Sequence, residues 1–136
     1  MNGAARIAAD GEWAAALAVA AGGAVGALAR YGVVRLNAAF FEGGAWIATA
    51  FVNASGSFAM GVVASILFDR APNDPWRAFL AIGALGAFTT FSTFSLDAFT
   101  LWRDRGALAA GLYAAGGVVS AFAAFAAGAA LARFVR

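Results

Sequence analysis

Apolar residues run in four long, nearly unbroken stretches, and polar residues gather at the three places between them. A helix needs roughly 20 apolar residues to cross about 30 Å of hydrocarbon. The pattern therefore predicts four membrane-spanning helices at residues 13–36, 45–68, 75–102 and 107–134. The break after the second is the sharpest, because Asp69-Arg70-Ala71-Pro72-Asn73-Asp74-Pro75 holds three charges and both prolines of the chain within seven positions. Arg103-Asp104-Arg105-Gly106 marks the third boundary and Glu42-Gly43-Gly44 the first. Ala18-Val19-Ala20 has the look of a signal-peptide cleavage site, but Asp10 and Glu12 offset Arg6 and the apolar run continues past it, so this stretch is read as the first span. The expected fold is all-α: one four-helix transmembrane domain over residues 1–136, in the inner (plasma) membrane with the lipid bilayer around it.

One segment breaks the apolar rule from inside a span. Gly83-Ala84-Leu85-Gly86-Ala87-Phe88-Thr89-Thr90-Phe91-Ser92-Thr93-Phe94-Ser95 puts glycines and hydroxyls at membrane depth. Unpaired polar groups there cost several kcal/mol each, so the run should face protein or a water-filled path. Gly83 and Gly86 stand at i and i+3 and two threonines follow whose hydroxyls can bond backbone, so the chain has what it needs to unwind briefly and the third helix is expected to be broken in this run. Carbonyls unwound at membrane depth are cation ligands.

Composition narrows the chemistry. With 63% hydrophobic and 12% charged residues, the chain has too little polar surface to coat a soluble domain. It has no cysteine and no histidine, which removes thiolate chemistry, an imidazole base and the ordinary transition-metal sites. Its carboxylates, Asp10, Glu12, Glu42, Asp69, Asp74, Asp97 and Asp104, sit nearly all at predicted helix ends, so no pair suited to acid–base work emerges and an enzyme is not expected. A net charge of +2, scattered over separate loops, forms no nucleic-acid-binding patch.

Every basic residue is an arginine. With both termini on one side, that side carries Arg6, Arg70, Arg77, Arg133 and Arg136 and the other Arg35, Arg103 and Arg105. A bias of five against three is too small to lock a topology. Two arrangements fit: a weak preference for termini inside, or a chain inserted both ways that pairs with an inverted copy. Four helices make a small bundle, so an oligomer is expected under either. Gly22 and Gly26, then Gly56 and Gly61, and Gly111, Gly116, Gly117 and Gly128 offer close backbone approach, the main source of packing energy between helices in lipid.

Three further features lie within the spans. Arg30 sits some six residues from the end of the first and serves either as a snorkelling anchor or as the lining of a vestibule that draws anions. Asn53, beside Ser55 and Ser57, brings two donors and an acceptor that need partners, as interhelical glue or as a pore amide. On a helix resumed after the break, Phe91 and Phe94 are neighbours on one face while Thr90, Thr93 and Asp97 align on another. Aromatic rings have a positive edge. Two of them edge-on beside hydroxyl and amide donors could replace part of the hydration shell of a small anion.

The segments Gly22-Gly23-Ala24-Val25-Gly26-Ala27-Leu28-Ala29-Arg30-Tyr31, Phe51-Val52-Asn53-Ala54-Ser55-Gly56-Ser57-Phe58 and 83–95 resemble, in order and spacing, the three signature segments of the CrcB, or Fluc, fluoride channels. The resemblance implies an antiparallel dual-topology dimer of identical four-helix subunits, with two fluoride pores and a structural sodium ion at its centre. By position, Gly86 and Thr89 would give backbone carbonyls to the sodium, two from each subunit. Phe91 and Phe94 would form the aromatic boxes, Asn53 the pore amide, and Ser92 with Thr93 part of a polar track. Arg30 matches an arginine near the vestibule and Tyr113 a pore tyrosine. Asp97 stands where many members have glutamate, without an assigned role.

Two departures accompany the match. Gly86-Ala87 replaces the usual doubled glycine. Gly117 falls where a serine is frequent, with Ser120 one residue short of the next polar position, so the fourth-helix part of the polar track is not carried over. The implied function is passive export of fluoride that entered as HF, conferring fluoride resistance. The choice of fluoride over chloride rests on the resemblance, and a paired paralogue in place of an identical subunit stays open. The rival readings are a small dual-topology proton-coupled multidrug exporter, which needs a membrane-buried carboxylate where the first span offers arginine, and a non-conducting assembly protein, which has no need of the hydroxyl-and-phenylalanine run.

Overall fold

The computed structural model describes residues 3–41, 43–67 and 74–135. Every regular element in it is helical. Helix α1 (Gly3–Phe40) ends where the Asn37 side-chain amide donates to the Gly44 carbonyl at 3.2 Å. Gly44, at φ +98°, then turns the chain into α2 (Ala45–Leu67), a conformation that suits a residue without Cβ. Most of the expected second break, and Glu42 of the first, lie outside the described residues.

The third span starts on a cap. The Asp74 side chain accepts a hydrogen bond from the Arg77 backbone N–H at 3.0 Å, and Pro75 takes the first helical position, where its missing N–H costs nothing. From α3 (Pro75–Arg77) the chain continues as a π-helical segment, Ala78–Leu85, and then α4 (Gly86–Phe88). Thr89 and Thr90 are extended, with φ/ψ of −77°/158° and −153°/120°, and α5 (Phe91–Arg105) resumes. Gly106 alone, at φ +88°, separates it from α6 (Ala107–Phe134). Four stretches, Gly11–Phe40, Ala45–Leu67, Pro75–Arg105 and Ala107–Phe134, are long and apolar enough to cross a bilayer, and the chain is a multi-pass membrane protein.

Within the run that carries Gly83, Gly86, Thr89 and Thr90, the threonines and not the glycines leave helical geometry. Gly86 keeps helical φ/ψ of −63°/−39°, and helical geometry is lost three residues later, at the threonines. In hydrocarbon a backbone group can leave the helix only where another partner is waiting, and none is needed while the chain stays helical. The glycines instead set how closely helices approach. A Cβ on Gly22 would run into the Phe79 carbonyl, one on Gly26 into that of Ala84, and one on Gly83 would lie 2.7 Å from the Val19 carbonyl, so the first and third spans meet backbone to backbone. Gly61 and Gly128 do the same reciprocally for α2 and α6, against the carbonyls of Phe125 and Phe58. Gly111 and Gly116 have open space around them and join neither seam.

Little of the chain covers itself: at most 22% of the most apolar window of any span is buried. The remaining apolar faces belong to lipid or to further protein. The seam account yields a test. Gly128→Val should lower stability by about 1–3 kcal/mol through overpacking, whereas Gly116→Ala should leave it unchanged or slightly raised. Thermal unfolding of the detergent-solubilised protein separates the two.

Candidate functional site

The site is built around the place where the third span leaves its helix. The Thr90 backbone N–H donates to Asn53 Oδ1 at 2.8 Å, and Asn53 Nδ2 donates back to the Thr90 carbonyl at 3.0 Å. One side chain of α2 thus replaces the helical acceptor that the Thr90 N–H has lost and adds a donor to the Thr90 carbonyl. Thr90 also caps α5: its hydroxyl oxygen accepts from the Thr93 N–H at 3.2 Å, lies 3.1 Å from Thr93 Oγ1 and 3.3 Å from Ser92 Oγ. Backbone, amide and three hydroxyls converge within a few ångströms.

These bonds have a consequence for the two carbonyls expected to bind a cation. In an unbroken helix the Gly86 carbonyl accepts from the Thr90 N–H and the Thr89 carbonyl from the Thr93 N–H. Both donors are engaged elsewhere, on Asn53 and on the Thr90 hydroxyl. Gly86 is exposed on the surface of the chain and Thr89 is half-buried, its hydroxyl donating back to the Leu85 carbonyl at 2.9 Å. Among the described residues no three His, Cys, Asp or Glu side chains gather to hold a metal ion. Any cation at this break would meet uncharged carbonyl oxygens, a donor set suited to a hard ion of low charge.

Two clefts flank Thr90, and it lines both. One, of about 290 Å³, is bordered by Asn53, Ser57, Thr89, Phe91, Phe94 and Gly117. The other, of about 240 Å³, lies between Arg30, Tyr31, Thr49, Val52 and Thr93. Arg30 is half-buried and, among the described residues, has no ion-pair partner, so its charge is available to the second cleft.

The rings of Phe91 and Phe94 lie 5.8 Å apart at 40°, as neighbours on α5 should. Their surroundings differ sharply: Phe94 is 8% exposed and Phe91 76%. Phe94 packs on Tyr113, centroid to centroid 4.9 Å, and Tyr113 in turn meets Trp46 edge-on at 5.9 Å. The Tyr113 hydroxyl donates to Asp97 Oδ2 at 3.4 Å, which gives that carboxylate a partner on α6. Phe91, Ser92 and Gly86 are all exposed on this chain.

Asn53, Thr89, Phe91 and Phe94 therefore share the first cleft, Arg30 and Thr93 the second, and Ser92 bonds to the residue between them. Tyr113 reaches the first cleft only through the Phe94 ring, and Gly86 lines neither. Sequence reasoning missed Thr90 as the hub and Thr49 as lining; it named Ser57 only as a neighbour of Asn53 and Gly56 only as a packing glycine. A signal for Thr90 was present, because a threonine opening a helical stretch is a capping residue. It was masked because position three residues on is Thr93 in place of the Glu or Gln that completes a capping box.

The chain matches the family described as "CrcB-like protein, Camphor Resistance (CrcB)" over residues 17–129. It belongs to the CrcB-like family. Relatives include a protein of Paracoccus denitrificans, 45% identical over 113 residues, covering 82% of this chain and 89% of the relative. One of Caulobacter vibrioides is 44% identical over 122 residues, covering 88% and 95%. One of Thermococcus gammatolerans is 42% identical over 105 residues, covering 76% and 83%. Each of these relatives is named "Fluoride-specific ion channel FluC".

The capping role of Thr90 predicts that Thr90→Val lowers thermal stability by about 0.5–2 kcal/mol while Thr90→Ser retains most of it. Melting curves in one detergent, with the parent run alongside, provide the measurement.

Proposed function

We propose that this chain is a fluoride-selective passive channel, working as a dimer in which a second, inverted copy completes the wall that one subunit leaves open. The observation that carries the reading is the pair of clefts meeting at Thr90, where ring, hydroxyl and amide groups stand at membrane depth in a family whose named members are fluoride-specific channels. A small anion gives up water only where donors replace it. Asn53 has one N–H left after its bond to Thr90, Ser57, Ser92 and Thr93 bring hydroxyls, and Phe91 and Phe94 bring positive ring edges.

None of these groups carries a full charge, so an ion they hold can still leave. The single cation is Arg30 in the second cleft, which raises local anion concentration without trapping the ion among the rings. Fluoride that has entered as HF and ionised in a less acidic cytoplasm then leaves down its own gradient, with no energy source. The exposed Phe91, Ser92 and Gly86 support the dimer reading, since hydroxyls and free carbonyls facing lipid would be costly. In that dimer the Gly86 and Thr89 carbonyls of both copies would hold a sodium ion, whose chemistry there is to fasten two broken helices together.

Proteoliposomes loaded with fluoride test the pore. Rapid electrogenic efflux from the parent, without a proton gradient, is expected. Phe91→Ile should slow it about tenfold or more, the change that follows from removing roughly 1.4 kcal/mol of stabilisation from the moving ion. Asn53→Ala should slow it as well. Equal slow leakage from all three removes the pore assignment. For the sodium, exchange of Na⁺ for N-methyl-D-glucamine during purification should lower thermal stability through lost mass action, whereas indifference to the exchange removes the ion from the account.

A further inference from the structure

Phe94 is held by two residues of one helix face, Tyr113 and Gly117, which stand at i and i+4 on α6. The Tyr113 ring lies 4.9 Å from its centroid, tilted by 37°. On the other flank the ring edge rests on Gly117: a Cβ there would lie 2.5 Å from Phe94 Cε2 and 3.0 Å from Cζ. No side chain fits at position 117 while the ring keeps its place. Ala50, Ala98, Ala110, Ala114 and Trp46 pack around the cluster of Phe94, Leu101 and Tyr113, so a displaced ring moves toward the 290 Å³ cleft that it lines.

The polar lining of the 290 Å³ cleft is correspondingly one-sided. Asn53 and Ser57 come from α2 and Thr89 and Thr90 from the break, while α6 adds Gly117, Val118, Ala121 and Phe125, without a hydroxyl. The nearby Ser120 is exposed and its hydroxyl donates back to the Gly117 carbonyl at 3.0 Å. A serine at 117 would therefore reach the cleft only by displacing the ring.

We infer that Gly117 is the positioning residue for Phe94: its lack of a side chain forms the seat that decides which part of the ring rim meets the cleft, and the ion path in this chain is polar along α2 and the break only. The inference rests on the channel reading for its effect on flux, but the seat itself is a statement about ring position. It excludes α6 as a source of hydroxyl ligands here. It also makes the effect of a substitution at 117 depend on the Cβ and not on its polarity.

The test pairs fluoride efflux from proteoliposomes with aromatic ¹³C NMR of protein carrying ring-labelled phenylalanine, the Phe94 signal being assigned by its absence from Phe94→Ile. Gly117→Ser and Gly117→Ala should both slow efflux roughly tenfold to a hundredfold, as overpacking at a site that shapes the path would, and both should move the Phe94 signal. Gly116→Ala, in open space, should do neither. If the serine variant does not reconstitute, the alanine variant carries the test alone. Faster or unchanged efflux in Gly117→Ser, or a Phe94 signal that stays in place in Gly117→Ala, overturns the proposal. A parent that releases no fluoride defeats the channel reading instead, while the Phe94 signal still judges the seat.

Discussion

The reciprocal pair between Asn53 and the Thr90 backbone is the constraint from which the rest of the site follows. Inside a membrane a helix cannot open without replacing each hydrogen bond it gives up, because no water is there to accept the freed groups. Asn53 offers an acceptor and a donor on one planar amide, which matches the N–H and C=O of a single extended residue. With that residue held, the chain can change direction at Thr89 and Thr90 and start α5 on a fresh cap. The diverted donors also leave the Gly86 and Thr89 carbonyls without their helical partners, the first through Asn53 and the second through the Thr90 hydroxyl. Asn53 is glue and lining at once, and the two roles proposed for such a residue are not alternatives in this fold.

The closure of the bundle protects this arrangement without competing with it. Glycine seams join the first span to the third and α2 to α6, and Gly56 lets the Thr89 and Phe88 side chains lie directly against α2. Lipid supplies no hydrophobic drive between helices, so backbone proximity and dispersion do the work. The polar pair at Thr90 therefore sits in a frame that separate contacts also hold together. The π-helical turns, Ala78–Leu85, precede the irregular junction on the same span.

The four helices were legible because crossing length is set by the bilayer, and because charges, prolines and glycines interrupt apolar sequence only where the chain can reach water. The turns at Gly44 and Gly106 were legible on the same ground. The position of the break was not. Gly83 and Gly86 looked like points of weakness, since glycine has the greatest backbone freedom, yet in hydrocarbon freedom matters less than the availability of a substitute bond. That substitute is Asn53, 37 residues away from Thr90, and no local pattern records such a pairing. The same limit hid Gly117: its spacing showed a departure from the family pattern, but only the packed ring of Phe94 explains what fills the space.

A single subunit presents a buried ring and an exposed one within one turn of α5, and this asymmetry bears on how a complete path is made. Phe94 is fixed by α6 of its own chain, whereas Phe91 is largely exposed and meets the rest of the chain through the Phe94 ring, 5.8 Å away. If the partner is an inverted copy, as proposed, it meets Phe91 with surfaces of the same composition, and each path takes one rigid wall from each chain. The near balance of arginines between the two sides is compatible with insertion in both directions, since a strong bias would commit every copy to one. Under that proposal the weak charge asymmetry and the exposed Phe91 have a common origin, since a chain that pairs with its own inverted copy gains nothing from a fixed orientation.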